Sequence, residues 1–531
     1  MKHSRTIASI AVGGTLIALT GCTAGGGGDG SPEVDGTFVS ALAEDPGTLN
    51  PLMTNLSSAI QVGAFAYDSL VFFDPESGEP RSFLAETWTD EPDTASFTLR
   101  DDITCADGSP FTAETAAANF DFILNPDNAS PLRDSIVPSA AEVSVDGNTL
   151  TVSMPQAYSF LLFNIGSQQL ACQAGLDDPD SLTSSSNGTG LYAITENIAG
   201  DHVSLERRDG YEWAPDGETT SETAGLPKNV VFRILTNTST TANLLLSGEV
   251  NAAVIAGPDE ARLSALSSVS SPIQSGQLLI NHYEGKATAD AAVRNALVQT
   301  LDLDALMNIV TANKGYRATS LLGVLPGPCT YDSIEGNIPD FDAEGAASAL
   351  DDAGWVVGAD GIRSKDGKTL DVTLSYVNAI DAVAAGAEYM AAEWTKLGVN
   401  VTLDGGDMNV AISTVFAPED DLTGWDVGLG LNLMTNIPTI FPPYLSGPVP
   451  PEGSNFSSIN NPEYDAAVLE AQVLTGQESC DKWSEAESAL FRQMDLLPIS
   501  MVDNVTYLNG AESLFAPSGG GLVPSGIRLT K

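Results

Sequence analysis

Hydrophobic positions along the chain alternate between short runs rich in β-branched and aromatic residues and longer stretches with an apolar face at three- and four-residue spacing. Phe38-Val39-Ser40-Ala41-Leu42 predicts a strand running into the turn Asp45-Pro46-Gly47. Ile60, Ala64, Tyr67 and Leu70 share a helical face and predict a helix over 57–70. Strands are predicted over 97–100 and 150–154, the second entered through Asp146-Gly147-Asn148, with an Ala-rich helix between them that opens at Thr112 and runs to 122. Further on, 191–195 and 230–234 read as strands, and 240–246 as a helix stopped by Ser247-Gly248. Helices are predicted over 289–300, 304–312, 343–353, 381–396, 461–473 and 480–494, and strands over 370–376 and 399–403. In the last helix Trp483, Ala486, Leu490 and Met494 fall on one buried face. Strand and helix in alternation imply an α/β body with a mixed sheet and crossovers, with no internal repeat and no long linker.

The first residues do not belong to that body. Lys2 and Arg5 precede an apolar stretch over 7–20, then Leu19-Thr20-Gly21-Cys22 and a Gly-rich run, Gly25 to Gly28. A basic head and a short apolar core read as an export signal rather than a membrane span. Its end resembles the lipobox of bacterial lipoproteins, which implies a signal peptide over 1–21, lipidation at Cys22 and a flexible tether over 22–36. The expectation is an exported protein held to the cell membrane by lipid, on its extracytoplasmic face.

Charge narrows the partners. The 531 residues carry 22 Lys and Arg against 70 Asp and Glu, a net charge of −48. Loss of 1–21 removes two cations, leaving 20 against 70, or −50. No basic patch exists to neutralise phosphates, so nucleic acid is excluded as a partner, and self-repulsion favours a monomer. With 43% apolar residues, the chain can bury a large core.

Four cysteines follow the leader: Cys105, Cys172, Cys329 and Cys480. An even number in an exported chain reads as disulfides, with three connectivities open. None is spaced as a zinc ligand set, and only His202 and His282 follow the leader, so no metal site and no cofactor are expected. There is no Gly-x-Ser-x-Gly elbow, no His-Glu-x-x-His and no phosphate loop, and hence no catalytic constellation. Gly188-Thr189-Gly190 precedes a strand and lacks a third glycine, so it reads as a turn rather than a dinucleotide loop.

Local motifs align in order with one family. Asp45-Pro46-Gly47-Thr48-Leu49-Asn50-Pro51 resembles the opening of the peptide/nickel/oligopeptide class (family 5) of extracellular solute-binding proteins of ABC importers. Tyr67-Asp68-Ser69-Leu70, Leu84-Ala85-Glu86-Thr87-Trp88, Phe97-Thr98-Leu99-Arg100 and Asp107-Gly108-Ser109-Pro110-Phe111-Thr112-Ala113 are similar to its next block. Gly188 to Tyr192, Leu246 to Val250, Val293 to Leu297 with Leu301-Asp302, and Ala349 to Trp355 match later motifs, so the resemblance covers about 37–508.

The resemblance implies a two-lobed periplasmic-binding-protein type II fold, α/β, with an inserted third subdomain. The first lobe would comprise 37–75, 185–275 and 505–531, the insertion 76–184, and the second lobe 276–504, with crossings near Asn281 and Asp503. On that division Cys105 pairs with Cys172 and Cys329 with Cys480, because each pair then lies within one lobe. The resemblance also places the ligand between a first-lobe loop carrying Glu44, Thr48, Leu49 and Asn50 and a second-lobe set of Gly430, Leu431, Asn432, Leu433, Asn436 and Phe456. Gly428 and Gly430 would let backbone approach ligand, and the amides of Asn432 and Asn436 would donate and accept. The stretch from Trp425-Asp426 departs from peptide-holding relatives: Leu431 stands where they carry Trp, and Met434 stands near the position of the Asp that captures a peptide ammonium. The implied role is capture of an oligopeptide-like ligand for delivery to ABC permease subunits, without enzymatic activity. An oligosaccharide or siderophore-like solute, or a peptide-binding chaperone role, is the alternative.

Overall fold

The computed structural model describes residues 36–324, 327–416, 423–517 and 521–530. The expected signal peptide, Cys22 and nearly all of the tether lie outside the described residues. Residues 32–531 form one compact unit. No helix among the described residues is long and apolar enough to cross a membrane.

The local signals are cashed in as hydrogen bonds. Thr112 caps helix Ala113–Leu124 by accepting from Thr115 N, Asp302 caps Leu303–Val310 by accepting from Asp304 N and Ala305 N, and Asn461 caps Pro462–Ala471. Helix Thr238–Ser247 ends on Gly248 at φ +79°, a conformation that glycine reaches without strain. The helix expected over 57–70 stops earlier, as Ser57–Ala66, and the reason is tertiary. Gly190 N donates to Ala66 O, and a Cβ on Gly188 would lie 2.3 Å from that same carbonyl oxygen. The glycine pair is therefore a close backbone contact where the helix gives way to extended chain at the buried Tyr67.

An eleven-stranded mixed sheet runs through the unit. Its order is Asn400–Gly406, Asp371–Val377, Val427–Leu429, Ser267–Ile280, Leu496–Leu508, Ala252–Val254, Thr37–Leu42, Asn229–Ile234, His202–Arg207 and Tyr192–Ile198, with Gly315–Arg317 also paired to Leu496–Leu508. Two strands at its centre are long. Ser267–Ile280 and Leu496–Leu508 run antiparallel from the Ser267–Leu508 pair to the Leu279–Leu496 pair. Ala252–Val254 joins them at one end through Thr506 to Leu508, and Val427–Leu429 joins at the other through Leu278 to Ile280. These two strands are common to both halves of the sheet, and the chain passes from one half to the other along them.

On the first half sits a separate four-stranded antiparallel sheet, in the order Ala85–Glu91, Thr94–Leu99, Thr149–Ser153, Glu142–Asp146, with helix Ala113–Leu124 packed on the last two strands. Its core, including Phe97 and Phe120, is continuous with that of Phe38, Phe65 and Trp213. The second half has one apolar cluster around Trp425, Phe456 and Trp483 and another around Leu297, Met390 and Trp394. Helix Leu161–Gly166 reaches across: Phe160 and Phe163 pack with the second-half cluster, and Ser159 Oγ donates to Ala471 O at 2.8 Å. Disulfides join Cys105 to Cys172 and Cys329 to Cys480.

Candidate functional site

Between the halves lies a cavity of about 380 Å³, within the size range of small-ligand sites. Helix Ser57–Ala66 buries Val62, Phe65 and Ala66 and leaves Ile60, Gln61 and Ala64 for the cavity wall. After the turn at Tyr67, strand Val71–Phe73 adds Phe72 and Phe73, and Phe83 and Phe163 complete an aromatic surface. The Phe73 and Phe163 ring centroids are 4.5 Å apart, and Phe72 meets Phe83 edge-on at 6.1 Å. Leu522 to Ser525 close the wall near the C-terminus.

The second half contributes Val324, Asn436 and Ile437. Their position depends on the long strand Ser267–Ile280. Ile273 bridges Val324, Gln274 N donates to Gly323 O at 2.8 Å, and Gly323 N donates to Thr435 O at 3.0 Å. This wall is therefore fastened to the strand that both halves share.

The described lining contains no Lys, Arg or His, and Asp68 is its one acid. Asp68 is 2% exposed. Burial pushes its carboxyl up to about 6, against the pull of the Trp213 indole N–H, which donates to Oδ2 at 2.9 Å, and of the nearby Arg208 charge. The Arg208 guanidinium is itself held by the carbonyls of Gly188, Gly190 and Thr104. Neutral amides and the hydroxyls of Thr54, Tyr67, Ser69, Ser167, Tyr211 and Ser525 supply the remaining polarity. Gln168 Nε2 donates to Pro51 O and Gln169 Nε2 to Ile60 O, which fixes those side chains against the wall. The described lining contains no cysteine, no histidine and no pair of carboxylates.

The residues expected at the site fall in three places. Asn436 lines the cavity. Glu44, Thr48, Leu49 and Asn50 stand behind it: Glu44 accepts from Ser58 Oγ at 3.2 Å, Thr48 Oγ1 accepts from Asn50 N, Leu49 is buried, and Asn50 accepts from Leu52 N and donates to Pro179 O. These bonds set the turn that delivers Pro51 and Thr54 to the lining. Leu433 N donates to Gln277 Oε1 at 2.8 Å, Leu431 is buried, and Asn432 Oδ1 is a buried acceptor without a hydrogen-bond partner.

Phe456, 1% exposed, packs against Phe416 and Trp425 in the second-half core. Asp426, next to Trp425, pairs with Lys286 at 3.1 Å, so that motif is also part of the core. Gly430 has φ +87°, and a Cβ there would lie 2.8 Å from Val383 Cγ1; its close approach is to core side chains. Phe72, Phe73, Phe83 and Phe163 were not singled out from sequence. Two available signals were the Val71-Phe72-Phe73 run directly after the Tyr67 motif and the apolar run Leu161 to Ile165.

Comparison with known proteins places this geometry. The family model of bacterial extracellular solute-binding proteins, family 5 (middle region), matches residues 79–440. The nickel-binding periplasmic protein of Escherichia coli (strain K12) is 26% identical over 447 residues, 77% of each chain. The oligopeptide-binding protein OppA of Bacillus subtilis (strain 168) is 24% identical over 549 residues, 94% of each. Among solved structures, the ABC transporter substrate binding protein CtaP from Listeria monocytogenes superposes with a TM-score of 0.78 at 20% identity, covering 94% of this chain and 100% of its own. Given a match across more than half of its length, and a two-lobed architecture shared with relatives along nearly their whole chains, the chain belongs to the bacterial extracellular solute-binding proteins, family 5.

Proposed function

We propose that this chain is the lipid-anchored receptor of an ABC import system, which captures an oligopeptide-like ligand in the cavity between its lobes and presents it to permease subunits. The observation that carries the reading is a cavity built from both halves, whose second-half wall is tied to a strand the halves share. Closure of the lobes about Ser267–Ile280 and Leu496–Leu508 would bring Val324, Asn436 and Ile437 onto a bound ligand. Lobe I is assigned to 37–75, 185–275 and 505–531, the insertion to 76–184, and lobe II to 276–504. In this reading Asn436 touches ligand, while Glu44 to Asn50 and Gly430 to Leu433 brace the two walls. Relatives named for nickel and for oligopeptides both occur. Neither His202 nor His282 is in the described lining, which favours the peptide-like ligand over a metal held by histidine.

Anchoring by acyl chains on Cys22 would hold a strongly anionic monomer at the membrane face. The test is native mass spectrometry of protein purified from its own host, followed by thermal unfolding with the solute found. At a hundredfold excess over the dissociation constant, about 2.7 kcal/mol of stabilisation is expected. A protein that carries no solute, and is not stabilised by any peptide, sugar or chelate in a broad screen, would count against the receptor role.

A further inference from the structure

We infer that the cavity selects an uncharged, aromatic amide: a solute with one or two rings whose polar groups are neutral amides or hydroxyls, and neither a zwitterionic peptide nor an anionic chelate. This deepens the receptor reading and rests on it. Three observations converge. Phe72, Phe73 and Phe83 are only half-buried, so they leave ring surface for an apolar partner, and Phe163 packs against Phe73 with its ring tilted by 48°. Flat rings against such a wall gain both burial and edge or face contacts. Apart from Asp68, the polar side chains of the described lining are uncharged amides and hydroxyls, such as Asn55, Gln61, Thr54 and Ser167, the groups that pair with a ligand's own amides and hydroxyls.

The charge pattern supplies the selectivity. A carboxylate entering the cavity would lose water and meet no Lys, Arg or His in the described lining. It would also enter the field of Asp68, in a chain of net charge −48. An ammonium has one acid in the described lining, Asp68, and at 2% exposure that carboxyl presents little surface to a ligand. A neutral amide or hydroxyl gives up less hydration than a charged group and meets side chains that can replace it.

The measurement is isothermal titration of the compact unit 32–531 with three matched probes: N-acetyl-phenylalanyl-phenylalanine amide, its free acid, and N-acetyl-glycyl-glycine amide. The aromatic amide is expected to bind at least about tenfold more tightly than either of the others, a difference readily resolved in dissociation constants. Phe73→Ala is expected to weaken the aromatic amide about tenfold and leave the glycyl probe unaffected, with its melting temperature recorded alongside. Gln61→Lys, which sets a cation at the wall, is expected to erase the preference for amide over acid; an unchanged preference overturns the inference. A free acid or glycyl probe bound as tightly as the aromatic amide also overturns it, and leaves the receptor reading standing. No binding by any probe overturns it too, and the receptor reading is then decided separately by whether host-purified protein carries a solute.

Discussion

Glu487 lies in helix Gly476–Arg492, 1% exposed, with no cation among its hydrogen-bond partners. Its Oε2 accepts from Leu321 N at 2.9 Å and Ser333 Oγ at 2.8 Å, and its Oε1 accepts from Tyr331 Oη at 2.7 Å. The carboxyl thereby secures the segment that leads from Leu321 to Val324 in the cavity wall. Burial pushes it up to about 7, from an ordinary 4.5, despite those three donors. Between those values the folded protein keeps a proton that the unfolded chain has released, so stability falls as pH rises and levels off above 7. At about 1.4 kcal/mol per pH unit, the total is about 3 kcal/mol.

Glu487→Gln removes this titration and keeps most of the bonds. The amide oxygen can accept from Leu321 and Ser333, while the amide nitrogen donates to Tyr331 Oη. Relative to wild type, the variant should therefore gain about 3 kcal/mol between pH 5 and pH 8. Urea unfolding of both proteins at pH 5, 6, 7 and 8 reads the difference directly. Asp68, Asp90 and Asp495, each pushed up to about 6 by burial, titrate in both proteins and cancel in the comparison. If the two stability curves run parallel with pH, Glu487 is hydrated in solution and the reasoning from its burial fails.

Trp213→Phe deletes the N–H donated to Asp68 and should cost about 1–3 kcal/mol, more at pH 8 than at pH 5 because the ionised carboxyl loses more; urea unfolding at the two pH values checks this. Gly430→Ala meets Val383 at positive φ and should lower stability by about 1–3 kcal/mol, seen as a lower melting temperature without added ligand. Breaking Cys329–Cys480 by a double Ser substitution should cost about 5 kcal/mol and breaking Cys105–Cys172 about 4, on the loop-entropy model, because the bridged residues are 151 and 67 apart; chemical unfolding of each pair variant compares them. Cys22→Ser should free the protein from the membrane fraction, which fractionation and immunoblotting would show.

Period, caps and turn residues report what each short segment does by itself, and here they carried far. Thr112 and Asn461 read as helix starts because a side-chain oxygen and two or three following residues settle the matter, whereas the helix predicted from 304 proves to be capped two residues earlier, at Asp302. Alternation of such segments was enough for the α/β class, and ordered motifs for the family. The central strands escaped that reading. Ser267–Ile280 begins Ser-Ser-Val-Ser-Ser-Pro, a composition with little strand preference of its own; its partner Leu496–Leu508 makes it a strand, over 200 residues away in the chain. The end of the first helix was likewise settled by Gly188 and Gly190 arriving against Ala66. The cavity is the extreme case. Its wall joins Phe72 and Phe73 to Phe163, Asn436 and Leu522, and the apolar character that marks such residues in sequence is the same for a ring in the core and a ring facing a ligand. Phe456 and Phe73 look alike along the chain. One is enclosed by Phe416 and Trp425, and the other is left partly open because the two halves meet around the cavity, a difference set by packing between distant segments.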